Sequence, residues 1–387
     1  MKKKIAILGS TGSIGKTTFN IIKKNPKKFE IILLTTNKNI YEISKQASIF
    51  NVKNLIVTDK EKFLIIKKKL KNRKINIFNN FSNFDKIFKK KIDYTMSSIS
   101  GLDGLKPTLE IIKFTKKIAI ANKESIICAW NLIKNKLIKH KTTFIPVDSE
   151  HFSIWSLLGQ TPKFKIDQII ITASGGPFLN LPIKDLNKVS IDKALNHPNW
   201  TMGKKISIDS ATMMNKVFEV IEAQKIFDLE YKKFTMLIHP KSYLHAIVKF
   251  NNGLIKFLAH DTDMSIPIFN SIVGDEDKKI KSKIIDYKIL NNLRLSKVSA
   301  KRYPSIKILK NLSNISSLYE TAIVSVNDEL VDLFINKKIK FNDISSYLIK
   351  ILNSKEILKL KSKSPLNYNK IKKFSEYVRL KTRTLCI

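Results

Sequence analysis

The sequence predicts an α/β protein that begins with a doubly wound parallel sheet, and three observations lead to this prediction. Short apolar segments alternate with helical stretches over the first 148 residues, as parallel strands joined by helices do. A glycine-rich turn directly follows the first apolar segment. The chain has 387 residues, which is too long for one typical core, so we expect two or three domains.

The strands of the predicted sheet are short apolar runs bounded by polar or glycine-rich segments. They are Ile5–Leu8, Ile31–Thr35, Asn54–Val57, Tyr94–Ile99, Lys117–Ala121 and Phe144–Val147. A second strand-rich region surrounds a helix predicted to run through Asp209 and Glu219, and its strands are Ile166–Ala173, Phe234–Ile238, Leu244–Phe250 and Leu254–Ala259.

Three further segments complete the predicted organisation. Residues 177–203 are rich in Pro and Asn and lack periodicity, which is typical of an active-site lid. Residues from about 274 to 300 are rich in Lys and Asp and resemble a linker, and helical patterning continues from there to residue 387.

Composition limits the classes of function. The formal net charge is +39, which in a clustered form would indicate nucleic-acid or anionic-membrane binding. The lysines are instead dispersed among Ile and Asn in every segment, so we interpret the charge as a bias of the source proteome. Cys128 and Cys386 form no metal-ligand spacing or disulfide framework, and no apolar run has the length of a membrane span. We therefore expect a cytoplasmic protein.

The glycine-rich turn Gly9-Ser-Thr-Gly12-Ser-Ile-Gly15 lies between the first strand and a helix predicted from about Lys16. Glycines at this place let a pyrophosphate approach a helix N-terminus, so the turn favours dinucleotide binding. A phosphate-loop interpretation fails because five residues, and not four, separate Gly9 from Gly15. The remaining alternative is a turn without a ligand.

The end of the second strand indicates which dinucleotide is bound. NAD-binding folds usually place Asp or Glu there to hold the ribose 2′-hydroxyl. Here the strand continues into Asn37, Lys38 and Asn39, with no acid among them. Since Lys38 could face a 2′-phosphate, the sequence favours NADPH over NADH.

Three carboxylates suggest a metal site. Asp148 and Glu150 follow the strand Phe144–Val147, and if the strand continued through them both would project from one side. Glu219 lies on the later helix. Oxygen ligands without a His or Cys cluster suit Mg²⁺ or Mn²⁺. The alternative is a solvated strand edge for the first two residues and an exposed Lys216–Glu219 helix pair for the third.

Other polar segments are less specific individually. Lys123 and Glu124 follow the end of a predicted strand, and the turn after Ser174 has two glycines that could form an anion-binding nest. His197 and Trp200 lie in the predicted lid, where an exposed Trp is difficult to explain as core. Each segment also has an ordinary interpretation as a surface pair or a turn.

Taken together, these segments closely resemble the 1-deoxy-D-xylulose 5-phosphate reductoisomerase family over essentially the whole chain. The matching motifs, in the order the family has them, are GSTGSIG (9–15), ANKES (121–125), PVDSEH (146–151), SGGPF (174–178), HPNWTMG (197–203), KISIDSATMMNK (205–216) and LIHPKS (237–242).

The resemblance implies a Rossmann-like NADPH-binding domain (1–148), a central α+β catalytic domain (149–273) with a lid at about 174–204, a linker (274–299) and a C-terminal helical domain (300–387). It implies a homodimer that uses NADPH and Mg²⁺ or Mn²⁺ to rearrange and reduce 1-deoxy-D-xylulose 5-phosphate to 2-C-methyl-D-erythritol 4-phosphate, an isoprenoid precursor. The metal would act as a Lewis acid on the substrate.

The resemblance also implies residue roles. Metal ligands are Asp148, Glu150 and Glu219, and catalytic residues are Lys123, Glu150, His197 and Glu219. Substrate contacts are Lys123, Ser149, Glu150, Ser174, His197, Trp200, Met202, Ser210, Asn215, Lys216 and Glu219. Cofactor contacts are Thr11, Gly12, Ser13, Ile14, Asn37, Lys38, Asn39, Asn122, Glu124 and Gly203.

The sequence departs from the family pattern at a few positions. Asn37 replaces a usual Gly, although both residue types tolerate positive φ. Lys241 replaces a common Gln, and the Ser325–Glu329 run differs from the family's. An aspartate-semialdehyde dehydrogenase is the alternative enzyme with a similar glycine-rich turn, but it needs a nucleophilic Cys. A basic nucleic-acid-binding protein is the alternative that is not an enzyme, and it would need a clustered patch of charge.

Overall fold

The computed structural model describes residues 1–71, 74–200, 202–274 and 279–387. The chain forms two compact units. The first contains residues 1–125, 132–148 and 264–280, and the second contains residues 126–131, 149–263 and 281–387. Residues 275–278, which belong to the predicted linker, and Thr201 of the predicted lid lie outside the described residues.

The strands, in chain order, are β1 (Lys3–Leu8), β2 (Phe29–Thr36), β3 (Asn54–Val57), β4 (Asn76–Phe78), β5 (Ile92–Ser97), β6 (Thr115–Ile120), β7 (Thr143–Pro146), β8 (Ile166–Ala173), β9 (Phe234–Ile238), β10 (Leu244–Phe250), β11 (Ile255–Ala259) and β12 (Ser296–Lys297).

The α-helices, in chain order, are α1 (Ser13–Lys23), α2 (Ile40–Phe50), α3 (Lys60–Lys69), α4 (Phe84–Ile87), α5 (Leu105–Ile111), α6 (Lys123–Lys139), α7 (Ser149–Leu158), α8 (Ile191–Leu195), α9 (Lys204–Ala211), α10 (Met214–Phe227), α11 (Ser265–Val273), α12 (Tyr287–Asn291), α13 (Leu318–Ile335), α14 (Phe341–Leu352), α15 (Lys355–Leu358) and α16 (Tyr368–Cys386).

The described part of the first unit contains a parallel sheet in the order β4-β3-β2-β1-β5-β6-β7. The strand order reverses beside β1, where chain progression runs outward to β2 on one side and to β5 on the other. Doubly wound sheets bind ligands at such a reversal. The predicted α/β fold class is confirmed. The sequence prediction missed β4, because three residues are too few to carry a pattern.

The core of the first unit includes a helix from much later in the chain. Ile268 and Ile272 of α11 are buried in the same cluster as Ile5 and Ile7 of β1, and the Ser271 hydroxyl lies 2.7 Å from the hydroxyl of buried Tyr94. The sequence division placed α11 at the end of the region 149–273. Its partners are distant in sequence, so no local pattern could assign it to this core.

The second unit contains a mixed sheet in the order β11-β10-β8-β9-β12. The β8–β9 pair is parallel and the other pairs are antiparallel. Helices α7 and α10 contribute Ile154, Val220 and Ala223 to the core beneath it. Two elements, α12 and β12, lie within the segment predicted to be a patternless linker.

The C-terminal helices pack around α13 in the second unit. Ser317 and Glu320 form a capping box that begins α13. Buried Glu329 accepts hydrogen bonds from Arg379 (3.0 Å) and Arg383 (2.7 Å) of α16. These charge-assisted bonds attach the last helix to α13. No helix among the described residues could cross a membrane.

Candidate functional site

The glycine-rich turn after β1 has a defined role for two of its glycines. Gly9 has a φ of +79°, and a Cβ there would lie 2.9 Å from the Ser98 carbonyl oxygen. A Cβ on Gly15 would lie 2.2 Å from the Gly9 carbonyl oxygen, so only glycine lets α1 pack on the turn. Gly12 is exposed and its Cβ would meet nothing closer than 3.5 Å. Helix α1 begins at Ser13, three residues earlier than predicted, so its N-terminus directly follows the exposed Gly12.

The end of β2 is open and basic, as the NADPH prediction requires. Lys38 is exposed, and the side chain of Asn39 caps α2 by accepting from the Glu42 N–H at 3.0 Å. Asn37 donates to the Thr58 hydroxyl at 2.8 Å, and it is not among the residues with positive φ. The substitution of Asn for the family's Gly therefore causes no backbone strain.

The turn after β6 places Asn122 and Lys123 at the N-terminus of α6. Asn122 is buried and caps α6, with its carbonyl oxygen 2.7 Å from the Ser125 N–H, while its amide donates to the Gly101 carbonyl at 2.7 Å. These bonds use its side chain structurally, so a cofactor contact would have to come from its backbone. The ammonium of Lys123 forms a salt bridge with Asp148.

The local structure around Asp148 and Glu150 differs from the prediction. Strand β7 ends at Pro146 and helix α7 begins at Ser149, so the premise of one strand face for both carboxylates was wrong. Asp148 lies in the connection and Glu150 lies in the first turn of α7, where a helix favours negative charge. The Ser149 hydroxyl donates to Glu150.

Glu219 reaches the same place from α10. The helix predicted to continue through Asp209 is interrupted, because α9 ends at Ala211 and Met213 adopts a φ of +66° before α10 begins. One carboxylate oxygen each from Asp148, Glu150 and Glu219 lie within 4.8 Å of one another. Three carboxylate oxygens gathered in one place are the type of hard ligand that Mg²⁺ and Mn²⁺ prefer.

Lys216 lies between two of these carboxylates. Its ammonium donates to Glu150 at 2.6 Å and also to Glu219, and Asn215 donates to the other oxygen of Glu219 at 2.5 Å. Lys216 and Glu219 are 5% and 1% exposed, so the alternative of an exposed helix pair is wrong. Burial lowers the pKa of Lys216, but Glu150 and Glu219 outweigh it and the net pKa is raised. The lysine is therefore charged.

His151 supports this cluster and was not predicted from the sequence. Its ring is buried, and Nε2 donates to the backbone carbonyl of Glu219 at 2.8 Å, which fixes the turn of α10 that carries the carboxylate. Nδ1 lies 4.0 Å from Glu222. The only signal in the sequence is its position directly after Glu150.

A second polar group is formed by the turn after β8 and the segment around His197. His197 Nδ1 accepts the backbone N–H groups of Asn199 (3.2 Å) and Trp200 (3.1 Å). The ring proton must then be on Nε2, which donates to the Ser174 hydroxyl at 3.0 Å. Burial and the charge of Lys216 lower the pKa of His197 to about 4, so the imidazole is neutral near pH 7.

The Ser174 turn approaches the end of α9 closely. Gly176 has a φ of +68°, and a Cβ there would lie 2.8 Å from the Ser210 carbonyl oxygen. The Gly176 N–H donates to the Ser174 hydroxyl at 3.0 Å. This close approach brings the predicted substrate residues Ser174 and Ser210 onto neighbouring turns, with Asn215 and Lys216 at the start of α10.

The predicted lid residues have partly buried side chains. Trp200 is half-buried and was expected to be exposed; its indole meets the His245 ring edge-on, with centroids 6.2 Å apart. His245 in turn stacks on His260 at 3.7 Å. Met202 is half-buried and Gly203 is exposed. The contact of Trp200 with His245 and the stack of His245 on His260 were not predicted from the sequence.

Comparisons with known proteins agree with these motifs. Three family models match: 1-deoxy-D-xylulose 5-phosphate reductoisomerase over residues 5–130, its C-terminal domain over 144–227, and the DXP reductoisomerase C-terminal domain over 260–381. The reductoisomerase of Pelagibacter ubique is 63% identical over the whole length of both chains. That of Wolbachia pipientis is 36% identical, with 88% of this chain and 87% of its own covered.

Solved structures give the same result. The reductoisomerase from Zymomonas mobilis in complex with NADPH superposes with a TM-score of 0.90 at 29% identity, covering 100% of this chain and 99% of its own. A DOX-P reductoisomerase in complex with NADPH, fosmidomycin and magnesium has a TM-score of 0.89 at 30% identity, with 99% and 98% covered. The chain therefore belongs to the 1-deoxy-D-xylulose 5-phosphate reductoisomerase family.

Proposed function

We propose that this chain is an NADP-dependent oxidoreductase that rearranges 1-deoxy-D-xylulose 5-phosphate and reduces it to 2-C-methyl-D-erythritol 4-phosphate. The full-length identity of 63% to a reductoisomerase supports this activity. The structural observation that supports it most is the cluster of Asp148, Glu150 and Glu219. One carboxylate oxygen of each residue lies within 4.8 Å of the other two. A relative of the same fold has been solved with NADPH and magnesium.

The three carboxylates are the metal ligands in this proposal, and the bound Mg²⁺ or Mn²⁺ supplies Lewis-acid stabilisation of negative charge on substrate oxygens. The three side chains fit such an ion because all of them are oxygen donors. They come from the β7–α7 connection, from α7 and from α10. The catalytic residues are Lys123, Glu150, His197 and Glu219. Lys123 and Lys216 place ammonium groups beside the carboxylates, where they can hold anionic or hydroxyl groups of a substrate.

The phosphate of the substrate is assigned to the second polar group. Ser174, Ser210, Asn215 and Lys216 offer hydroxyl, amide and ammonium donors on adjoining turns, and neutral His197 presents an N–H at Nε2. Binding the phosphate there contributes interaction energy away from the reacting carbons, which orients them. Ser149, Trp200 and Met202 complete the proposed substrate contacts.

NADPH is assigned to the carboxyl end of β1 and β2. Thr11, Gly12, Ser13 and Ile14 lie at or just before the N-terminus of α1, which favours the pyrophosphate. Asn37, Lys38 and Asn39 lie where the 2′-phosphate is expected. Asn122, Glu124 and Gly203 are the further proposed contacts.

A direct assay tests the activity. Purified protein is mixed with 1-deoxy-D-xylulose 5-phosphate, NADPH and Mg²⁺, and nicotinamide oxidation is followed together with the mass of the product. We expect one equivalent of NADPH to be oxidised per product with the mass of the reduced, branched phosphosugar. Oxidation without that product, or no oxidation with Mg²⁺ or Mn²⁺ present, would exclude the proposed reaction.

The segment from about 174 to 204 is the proposed lid. Closing it over bound substrate would exclude water from a reactive intermediate. Substrate or a phosphonate analogue should protect this segment from proteolysis and change tryptophan fluorescence, with Trp200→Phe as a control because Trp130 and Trp155 also emit. Unchanged cleavage at saturating ligand would contradict closure.

We also propose that the protein is a homodimer and that β11 contributes to the interface. This strand is at the edge of the second sheet, and Ile255 and Phe257 on it are 59% and 58% exposed. An exposed apolar edge strand can pair with a second copy. Light scattering should give twice the chain mass, and Phe257→Lys should shift it towards the monomer. A monomeric wild-type protein at micromolar concentration would exclude the dimer.

We propose domains at 1–148, 149–273 and 300–387, with a linker at 274–299. Family models match three separate stretches, 5–130, 144–227 and 260–381, which supports three parts, although the third match begins within the proposed catalytic domain. We also propose a cytoplasmic location, because the relatives that the chain resembles are metabolic enzymes. Expression with a fluorescent tag in the native host would test the location.

A further inference from the structure

His245 and His260 form a stacked pair in the second unit. Their ring centroids are 3.7 Å apart with an angle of 20° between the planes. His245 lies on β10 and His260 follows the end of β11. Each ring is fixed by a backbone carbonyl: His245 Nε2 donates to the His260 carbonyl at 3.2 Å, and His260 Nδ1 donates to the Asp261 carbonyl at 2.7 Å. The stack therefore has one defined orientation.

Both imidazoles are neutral, which favours stacking over charge repulsion. Burial and the neighbouring His260 lower the pKa of His245 to about 3. Burial also lowers the pKa of His260. The carboxylate of Glu150 opposes both shifts without reversing them, which indicates that the pair lies near the carboxylate cluster. His260 Nε2 is buried and has no hydrogen-bond partner among the described residues.

The stacked pair also contacts Trp200 of the proposed lid through His245. Trp200 meets His245 edge-on at 6.2 Å and 68°. The adjacent Asn199 donates to the Pro240 carbonyl (2.6 Å) and to the Ser242 hydroxyl (2.9 Å). Asn199 therefore fixes the backbone of this segment, and the Trp200 indole contacts His245 of the imidazole pair.

We propose that His260 is a positioning residue for the reaction: it holds His245 by stacking, and His245 holds Trp200 of the lid in the orientation that closes over the phosphosugar. His260 itself need not touch substrate. The inference rests on the proposed function, because it assigns a role within the same site.

Three substitutions separate the stack from other roles of His260. Phe keeps an aromatic ring without nitrogen, Asn keeps a polar side chain without a ring, and Ala removes both. An aromatic pair contributes enough that its loss should raise KM for the phosphosugar about two- to tenfold in His260→Ala and His260→Asn. His260→Phe should restore KM to within about twofold of wild type. KM for NADPH and the thermal midpoint should change little in all three.

The second readout does not depend on turnover. Binding of a phosphonate substrate analogue should change Trp200 fluorescence and protect the segment 197–203 from proteolysis in wild type and His260→Phe, and much less in His260→Ala. Trp200→Phe identifies the fluorescence signal. His140→Ala, at the end of α6, controls for loss of a histidine elsewhere.

Each outcome decides the inference. Wild-type KM and analogue response in His260→Ala would overturn it, and so would a defect in His260→Phe as large as that in His260→Ala. If His260→Asn keeps the wild-type KM and analogue response while His260→Phe loses them, a nitrogen of His260 acts, and not the stack. If wild type itself lacks turnover but the analogue still orders the segment through the stack, the proposed reaction fails while the positioning role stands.

Discussion

Helix α10 carries two buried lysines, Lys216 and Lys225, whose charged neighbours differ. The difference distinguishes a lysine of the proposed site from a lysine that serves the fold. Lys225 is 4% exposed and donates to one carboxylate, Glu320, at 2.8 Å and to the Ser316 hydroxyl at 3.0 Å. The other oxygen of Glu320 accepts the N–H and the hydroxyl of Ser317. One ammonium thus meets one carboxylate, and both groups have hydrogen-bond partners.

Lys216 is buried to the same degree but meets two carboxylates, Glu150 and Glu219. Asp148 offers a third carboxylate oxygen within 4.8 Å of theirs. A buried pair with balanced charge and satisfied hydrogen bonds serves the fold, whereas gathering several carboxylates away from water is costly unless a cation joins them. Charge balance, more than burial, therefore distinguishes Lys216 from Lys225.

Glu219→Gln should have the largest effect, because it removes one charge from the metal ligands and keeps the shape. We expect a loss of turnover of roughly 10²- to 10⁴-fold, as several kcal/mol of Lewis-acid stabilisation implies. The protein should fold, bind NADPH and need much more metal. Steady-state kinetics over a metal titration measure this.

Glu320→Gln is the matched control for Glu219→Gln, since it neutralises the buried carboxylate that pairs with Lys225. It should leave the metal requirement unchanged. Wild-type metal affinity in Glu219→Gln would remove Glu219 from the site, and an altered metal requirement in Glu320→Gln would break the comparison between the two clusters.

Of the substitutions in this comparison, Lys225→Met should reduce the free energy of unfolding most, and it should leave the carboxylate cluster intact. It leaves the Glu320 carboxylate buried without its ammonium, which costs about 3–5 kcal/mol in comparable pairs. The double variant Lys225→Met with Glu320→Leu should recover most of this loss. Denaturant unfolding measures the free energies, and a loss below about 1 kcal/mol in the single variant would mean that the pair is not structural.

The sequence predicted the parts of the molecule that depend on local pattern. Gly9 and Gly15 followed a short apolar strand, and both prove sterically necessary. The predicted reductoisomerase family is confirmed by the comparisons, and solved relatives of the same fold contain NADPH and magnesium. The residue roles remain predictions, although the contacts of Glu150, Lys216 and Glu219 support them.

What the sequence did not predict depends on contacts between distant segments. The packing of α11 on β1 joins segments about 260 residues apart, and the stack of His245 on His260 exists only once β10 and β11 pair. The placement of Glu150 was a different kind of error. Asp148, Ser149 and Glu150 follow Pro146 in an order that also signals a helix start, and the strand interpretation overlooked it.

Lys216→Met should bind metal more tightly than wild type when substrate is absent. The ammonium of Lys216 occupies two of the proposed ligands, Glu150 and Glu219, so removing it removes a competitor for the cation. We expect Mn²⁺ affinity to rise roughly tenfold, which corresponds to about 1.4 kcal/mol. Calorimetry or Mn²⁺ resonance measures it, with Lys225→Met as the control on the same helix. Equal or weaker binding in Lys216→Met would show that the lysine does not compete with the metal.

Lys38 extends the comparison to an exposed lysine and should give the smallest effect. Because water screens an exposed charge, its attraction for a 2′-phosphate is weaker than that of a buried one. Lys38→Met should raise KM for NADPH by about two- to fivefold, less at high salt, and leave KM for NADH unchanged. Lys38→Glu should widen the difference, since it replaces attraction with repulsion. Lys45→Met, an exposed lysine on α2, should change neither value. If Lys38→Met and Lys45→Met behave alike, or if KM for NADH rises as much as that for NADPH, Lys38 does not contact the 2′-phosphate, and the preference for NADPH must come from other residues at the end of β2.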